Sequence, residues 1–330
     1  MTQSLVANAW LVAIVAYNDY PSVRRAVLAY QHQTPAPAAV LVVDNSDNPQ
    51  PHLLADLGVE YRSGHADGRN SGSAGGFAAA MRYGREMKAE RLILSDQDAC
   101  PAPGMLAALW GLAEKYPKAI LAPFTVDPRS HDVMPSYPAV AARAGAGAAL
   151  LPNRQELGRS LGWSLAGPRL HDIDSVRLLL QSCQQSIART PLVPPQGVCI
   201  PLTVLENVAP FRSDFFIGHE DYEWCCRIHD AGVDILLCPD AIVYHHLIWH
   251  RQITLFGRSL TFPDYDPIRH EHTLRNSLVM ARERMSGSLR LAWVGRQVLK
   301  AVLYVLFGKG TVAGRCRATL RALRDQGRVR

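Results

Sequence analysis

Four clusters of side chains along this chain are equipped for chemistry. Asp96 and Asp98 lie in LILSDQDACP (92–101), two carboxylates one residue apart at the end of an apolar run. Desolvating two like charges is costly, and neighbouring carboxylates raise each other's pKa. A D-x-D where a core strand surfaces is a hard-oxygen site, suited to Mg²⁺ or Mn²⁺ held jointly with substrate phosphates. The plainer alternative is one Asp capping the next helix and one in a solvated turn. In NSGSAGGF (70–77), Gly72, Gly75 and Gly76 let the backbone approach a ligand, and the following helix offers N–H groups to an anion. The spacing is neither G-x-G-x-x-G nor a Walker loop, and a glycine turn before a packed Ala-rich helix would read the same way. In FFIGHEDYEWCCR (215–227), Glu220, Asp221 and Glu223 crowd a helix start, where acids are favoured without catalysis. The apolar approach, Phe215 to Ile217, would raise a carboxylate's pKa towards that of a general base, and Arg227 is spaced to pair with Glu223. In PDAIVYHH (239–246), His245 or His246 stands at a strand end and can complete a metal site. His246-x3-His250 is half a zinc motif, with no suitably spaced cysteine pair to finish it.

These clusters must be carried to one edge of a fold. The runs 10–18, 38–48, 58–64 and 90–98 read as strands, each closing on polar side chains. Between them, 21–33 carries helical spacing, 70–87 reads as a small-residue loop opening into a helix, and a further helix is expected at 103–116. Alternating strands and helices predict an α/β protein with a doubly wound, mostly parallel sheet whose ligands bind outside the carboxyl ends of the strands. Residues 123–195, rich in Pro, Ala, Gly and Arg, are expected to be an insertion or acceptor-side segment, with a helix at 175–188. A helix closed by Gly232, one or two strands over 233–246 and a helix over 265–285 complete the catalytic region, 1–280. Residues 281–330 are expected to form a basic, amphipathic helical tail.

Composition narrows the classes. The 330 residues are 48% apolar and 19% charged, as a packed globular chain requires. Seven cysteines without C-x-x-C spacing argue against a disulfide framework and a zinc ribbon, and fit reduced thiols in the cytosol. The N-terminal apolar run lacks a basic lead and breaks at Tyr17-Asn18-Asp19, so it reads as a strand rather than a signal peptide. The net charge of +6 is uneven: from Arg282 onward twelve Lys or Arg stand against two acids, which leaves the remainder at −4. The basicity therefore belongs to the tail and does not predict nucleic-acid binding. Leu, Val, Trp293, Tyr304 and Phe307 interleaved with Arg and Lys suit a helix lying on an anionic membrane surface, or one packed on the catalytic region or at a dimer contact.

In their order along the chain, these motifs resemble those of the family 2 glycosyltransferases, which have a GT-A fold. VAIVAYN…QTPAPAAVLVVDNSD is similar to that family's opening, and NSGSAGGF resembles its N-x-G-x-A-G-G loop. SDQDACP stands at its D-x-D, FFIGHEDYEWCCRIHDAG at its acidic base segment and VYHH at its terminal Tyr-His. Within the family the chain leans towards bacterial rhamnosyltransferases and galactofuranosyltransferases. The resemblance implies inverting transfer of a sugar from a UDP- or dTDP-linked donor to a hydroxyl of a cell-surface glycan or polyprenyl-linked acceptor. It implies that Asp44 contacts the base or ribose, that Asn70 and Gly72 to Gly76 lie along the donor, and that Asp96 contacts the ribose or the metal. Asp98 and His245 would ligate Mg²⁺ or Mn²⁺, with His246 the substitute. Asp221 would be the base, with Glu220 the runner-up. His219, Trp249 and Arg275 are candidate donor or acceptor contacts; Gly218-His219 stand where the family often has Trp or Tyr. The implied place is cytoplasmic, peripheral on the inner membrane face if the tail engages it. A nucleotidyltransferase would use the same carboxylates and metal but needs a basic glycine loop near the N-terminus, which Tyr17-Asn18-Asp19-Tyr20 is not. A non-catalytic nucleotide-sugar binder would need no base. The oligomeric state is left open.

Overall fold

The computed structural model describes residues 10–65, 68–133, 172–182, 187–190, 192–246, 250–255, 258–263 and 265–328. The chain divides into two compact units: Met1–Leu150, Leu170–Ser213 and Asp221–Leu247 form the first, and Leu151–Arg169, Asp214–Glu220 and Ile248–Arg330 the second.

In the first unit, β1 (Trp10–Ala16), α1 (Tyr20–Gln31), β2 (Ala39–Asp44), β3 (Glu60–Ser63), α2 (Gly72–Glu86) and β4 (Arg91–Asp96) follow in turn. Next come β5 (Cys100–Pro101), α3 (Met105–Lys115), β6 (Ile120–Val126), α4 (Ile173–Ser182), β7 (Ala188–Arg189), β8 (Val198–Pro201), α5 (Leu202–Asn207), α6 (Glu220–Asp230) and β9 (Ile235–Tyr244). The nine-stranded sheet has the order β3-β2-β1-β4-β8-β6-β9-β5, with β7 also pairing β9. β3, β2, β1 and β4 run parallel, so their polar ends reach one edge together. Beyond β4 the sheet is mixed: β8 is antiparallel to β4 and β6, while β6 and β9 are parallel.

β1 and β6 are buried at every position, as sheets covered on both faces demand; hence their unbroken apolar sequence. One face packs Val12, Ile14, Val40 and Val42 against Val23, Val27 and Tyr30 of α1 and Met105 and Leu109 of α3. α1 starts where it should: the Asp19 carboxylate accepts from Ser22 N at 3.1 Å and Pro21 occupies the first turn.

The segment 233–246 resolves into one strand with a bulge. Across β6 the register jumps from Pro123–Cys238 to Phe124–Ile242, so Pro239 to Ala241 leave the ladder. β6 also runs to Val126, inside the stretch expected to be an insertion, and the helix expected at 175–188 is Ile173–Ser182, with Ala188–Arg189 extended on β9. Residues 134–171 of that stretch lie outside the described residues.

In the second unit, β10 (His250–Leu255) and β11 (Arg258–Pro263) form an antiparallel hairpin, followed by α7 (Pro267–Arg284), α8 (Gly287–Phe307) and α9 (Val312–Arg324). Asp266 caps α7 and Thr311 caps α9. Leu274 and Leu278 of α7, Ala301 of α8 and Ala322 of α9 share one small core. Trp293 packs with Ala281 and Met285, its indole N–H donating to Ser277 Oγ at 2.9 Å. Arg315 of α9 donates to the carbonyls of Val305, Gly308 and Gly310, satisfying the C-terminal end of α8. Among the described residues, no helix is long and apolar enough to cross a membrane.

Candidate active site

The carboxyl ends of β1, β2 and β4 lie side by side, Ala16 opposite Asp44 and Val15 opposite Asp96. After Asp96 the chain turns, with Ala99 N donating to Asp96 O, and enters β5, whose Cys100 pairs Tyr244 of β9. That pairing brings the D-x-D turn against the end of β9. His245 leaves β9 with its N–H on Val126 O at 3.1 Å. Its Nε2 stands 3.2 Å from Asp98 Oδ1 and 4.0 Å from Asp96 Oδ2. One ligand atom from each of Asp96, Asp98 and His245 lies within 4.8 Å of the others. Two carboxylates and an imidazole so placed fit Mg²⁺ or Mn²⁺. Burial works to raise the Asp98 pKa, but the hydrogen bond and charge of His245 outweigh it and hold the carboxyl below its ordinary value. Of the two histidines left open by the sequence, His245 completes this group; His246 is exposed beside it.

The polar ends of β1 and β2 form a second constellation. Asp47 accepts from Tyr17 Oη at 2.9 Å, Asn18 Nδ2 at 3.1 Å and Asn70 Nδ2 at 3.2 Å. Asn70 Oδ1 in turn accepts from Asn45 Nδ2 and from Gly72 N. The residue between the two acids takes part as well: Gln97 Oε1 accepts from Tyr17 N at 2.6 Å. Asn45, Asp47, Tyr17 and Gln97 were not among the expected site residues. Their only signal in the sequence is that polar side chains close the buried strands.

Asp44 ends β2. It is fully buried; its Oδ2 accepts from both Tyr20 Oη and Tyr61 Oη, and its Oδ1 accepts from Ser46 N. Burial pushes its pKa up, but these bonds pull it below the ordinary value. These bonds tie Asp44 to the start of the 45–50 loop. Gly72, Gly75 and Gly76 lie in the first turns of α2, not in a loop before it. A Cβ on Gly76 would meet Val15 Cγ1 at 2.6 Å, so this glycine lets α2 lie against β1.

Glu220 and Asp221 open α6. Glu220 is buried, whereas Asp221 is half-buried, its Oδ1 accepting from Tyr222 N at 2.7 Å. Glu223 is buried and paired with Arg227 at 2.8 Å; Arg227 also donates to the carbonyls of Ala209 and Pro210. That pair is an anchor, as its spacing suggested. Trp224 of α6 stacks on Phe211, which leans on Phe77 of α2, so an aromatic ladder joins the glycine helix to the acidic one.

The segment before Glu220 belongs to the second unit and is held by α7. Buried Asn276 donates to the carbonyls of Phe215, Ile217 and Gly218. Arg275, a candidate donor or acceptor contact, donates to the carbonyls of Asp214 and Phe215 and to Asn276 Oδ1. Phe216 and His219 both adopt positive φ, 60° and 66°. Burial, with Lys300 and Arg296 adding to it, lowers the His219 pKa to about 4, so its imidazole is neutral near pH 7. Trp249 lies outside the described residues.

Residues 11–149 match the sequence model of Glycosyl transferase family 2. The dTDP-rhamnosyl transferase RfbF of Shigella flexneri is 24% identical over 246 residues, 74% of this chain and 71% of that protein. Of solved structures, S. aureus TarS 1–349 aligns with a TM-score of 0.53 at 12% identity, over 96% of this chain and 80% of that one. GalNAc-T7 with UDP, GalNAc and Mn²⁺ aligns with a TM-score of 0.52 at 14% identity over 84% of this chain, which spans only 49% of that protein. At these identities the structures speak for the fold alone. The chain has a GT-A-like fold, its residues 11–149 match Glycosyl transferase family 2, and it resembles a dTDP-rhamnosyl transferase.

Proposed function

We propose that this glycosyltransferase moves a sugar from a nucleotide diphosphate to a hydroxyl of a cell-surface glycan or lipid-linked acceptor, with inversion at the anomeric carbon. The observation that carries the reading is the Asp96, Asp98 and His245 group at the carboxyl edge of the sheet. Likeness to a dTDP-rhamnosyl transferase favours rhamnose over galactofuranose as the sugar and dTDP over UDP as the carrier.

Asp98 and His245 would hold the cation, with Asp96 shared between it and the ribose. A bound Mg²⁺ or Mn²⁺ supplies charge neutralisation on the departing diphosphate, which spares the protein an acid on that side. The Asp47, Asn70 and Gly72 constellation would receive the nucleoside side of the donor, while Asp44 fixes the loop carrying Asp47. The first turns of α2, through Gly75 and Gly76, would lie along the donor. Asp221 would accept the acceptor's proton as the hydroxyl oxygen bonds to the anomeric carbon from the face opposite the diphosphate. Half-exposure recommends Asp221 over buried Glu220 for that task. His219 would act through the loop before α6, and Trp249 stays a candidate acceptor contact.

The test is a thermal-shift screen of dTDP- and UDP-sugars with Mn²⁺, with Mg²⁺ and with EDTA, followed by NMR assignment of the product anomer. A metal-dependent shift with dTDP-rhamnose and an inverted product are expected. No shift with any nucleotide sugar would overturn the donor class, and a retained anomer would overturn the displacement.

A further inference from the structure

An amphipathic helix on a protein surface turns its apolar stripe inward and its polar face to water. α8 does not. Its inward side is Trp293, Gln297, Ala301 and Tyr304, all buried. On the opposite side Leu291 is 75% exposed, Leu306 58% and Val302 50%, with Val298 and Leu299 beside them. α9 repeats the pattern: Ala318 and Ala322 face in, while Val312, Leu320 and Leu323 are exposed. An open groove of about 270 Å³ runs along this surface, walled by Leu274, Leu278, Val302, Leu306 and Leu323. Continuous apolar surface of this kind marks a docking face rather than ordinary scatter.

Charge identifies the partner. From Arg282 to Arg330, twelve Lys or Arg stand against Glu283 and Asp325. Arg290, Lys309, Arg317, Arg321 and Arg324 are exposed around the apolar surface, while Arg315 is spent inside as the cap of α8. Some of this charge is answered locally, Arg324 by Asp325 and Arg321 by Glu271 at 3.7 Å. A second copy docking by a two-fold axis would set this basic rim against itself, which disfavours self-association. Exposed aliphatic side chains bordered by arginines match the boundary between acyl chains and anionic headgroups.

We propose that the outward face of α8 and α9 docks on an anionic phospholipid bilayer, its leucines and valines entering the headgroup boundary and its arginines meeting the lipid phosphates. The binding is electrostatic and apolar together, so it needs both parts of the face. It is independent of donor and metal.

The test is flotation of the full chain with phosphatidylcholine vesicles, with and without 30% phosphatidylglycerol (about that fraction suffices to give a strongly negative surface). The wild-type chain should float with the anionic vesicles and remain in the dense fraction with neutral ones. The double variant Leu299→Glu, Val302→Glu should lose at least tenfold of the bound fraction with an unchanged melting temperature; both side chains are exposed, so folding should tolerate them. Arg290→Glu, Arg317→Glu should lose binding and its salt sensitivity. Asp98→Ala should float like the wild type, which separates this test from failure of the active-site reading. A wild-type chain that stays dense on both vesicles, or floats equally on both, overturns the proposal. So does light scattering that shows a dimer broken by the Leu299→Glu, Val302→Glu change without any flotation, because the face would then serve a second copy.

Discussion

The tasks proposed for Asp98 and Asp221 follow from what surrounds each carboxylate. Asp98 is held ionised by His245, which suits a cation ligand; Asp221 heads a helix, half in water, which suits proton uptake. Asp98→Ala should weaken Mn²⁺-dependent binding of the nucleotide sugar by tenfold or more, read by calorimetry with and without EDTA. Donor affinity indifferent to both the change and the chelator would remove Asp98 from the metal. Asp221→Asn should leave that affinity within about twofold yet lower kcat by about 10²- to 10⁴-fold, the usual worth of a general base. Near-normal turnover would move the base elsewhere. The chemistry proposed for these residues rests on their types and order. The bonding of Asp44 was not legible there: its tyrosine partners come from 24 residues before and 17 residues after it, and nothing local announces that meeting. Gln97 was hidden for the same reason, its partner lying 80 residues away.

Elements position these groups, and α7 shows how far from the chemistry such work is done. The amide of Asn276 satisfies three carbonyls of the segment leading to Glu220. Asn276→Ala should leave buried acceptors unmet, at about 1–3 kcal/mol apiece. A lower melting temperature and a kcat that falls more than KM rises are the expected results; unchanged kinetics in a folded variant would mean that the clamp has no bearing on turnover. Strands and helices up to residue 122 were readable because apolar runs and helical periods are local signals. The bulge in β9 was not, because it depends on pairing with β6, more than a hundred residues earlier. The dual nature of α8 and α9 was half legible: the mixture of aliphatic and basic residues showed in the sequence, but which side faces in required the packing of Trp293 and Ala301.

At the scale of the whole molecule, the second unit carries a liability towards acid. His270 is buried against Tyr304, ring centroids 3.6 Å apart, and burial lowers its pKa to about 4 from 6.5. The unfolded chain therefore takes up this proton first, so stability is full above about pH 6.5 and is lost as pH falls towards 4. At full effect this one imidazole accounts for about 3 kcal/mol. The melting temperature should drop across that window, and less steeply in His270→Gln; identical pH profiles would clear His270. The change in charge at Arg282 falls inside the second unit rather than at its edge. One last trait concerns the sheet's working rim. Gln97, seated between the paired acids, grips the backbone of Tyr17, whose hydroxyl in turn braces Asp47. In the proposed reading this strap joins the cation site to the nucleoside site, and thermodynamic reciprocity makes any gain that one ligand gives the other equal in both directions. Cutting the strap with Gln97→Ala should shrink that mutual gain from both directions alike, whichever ligand is titrated first.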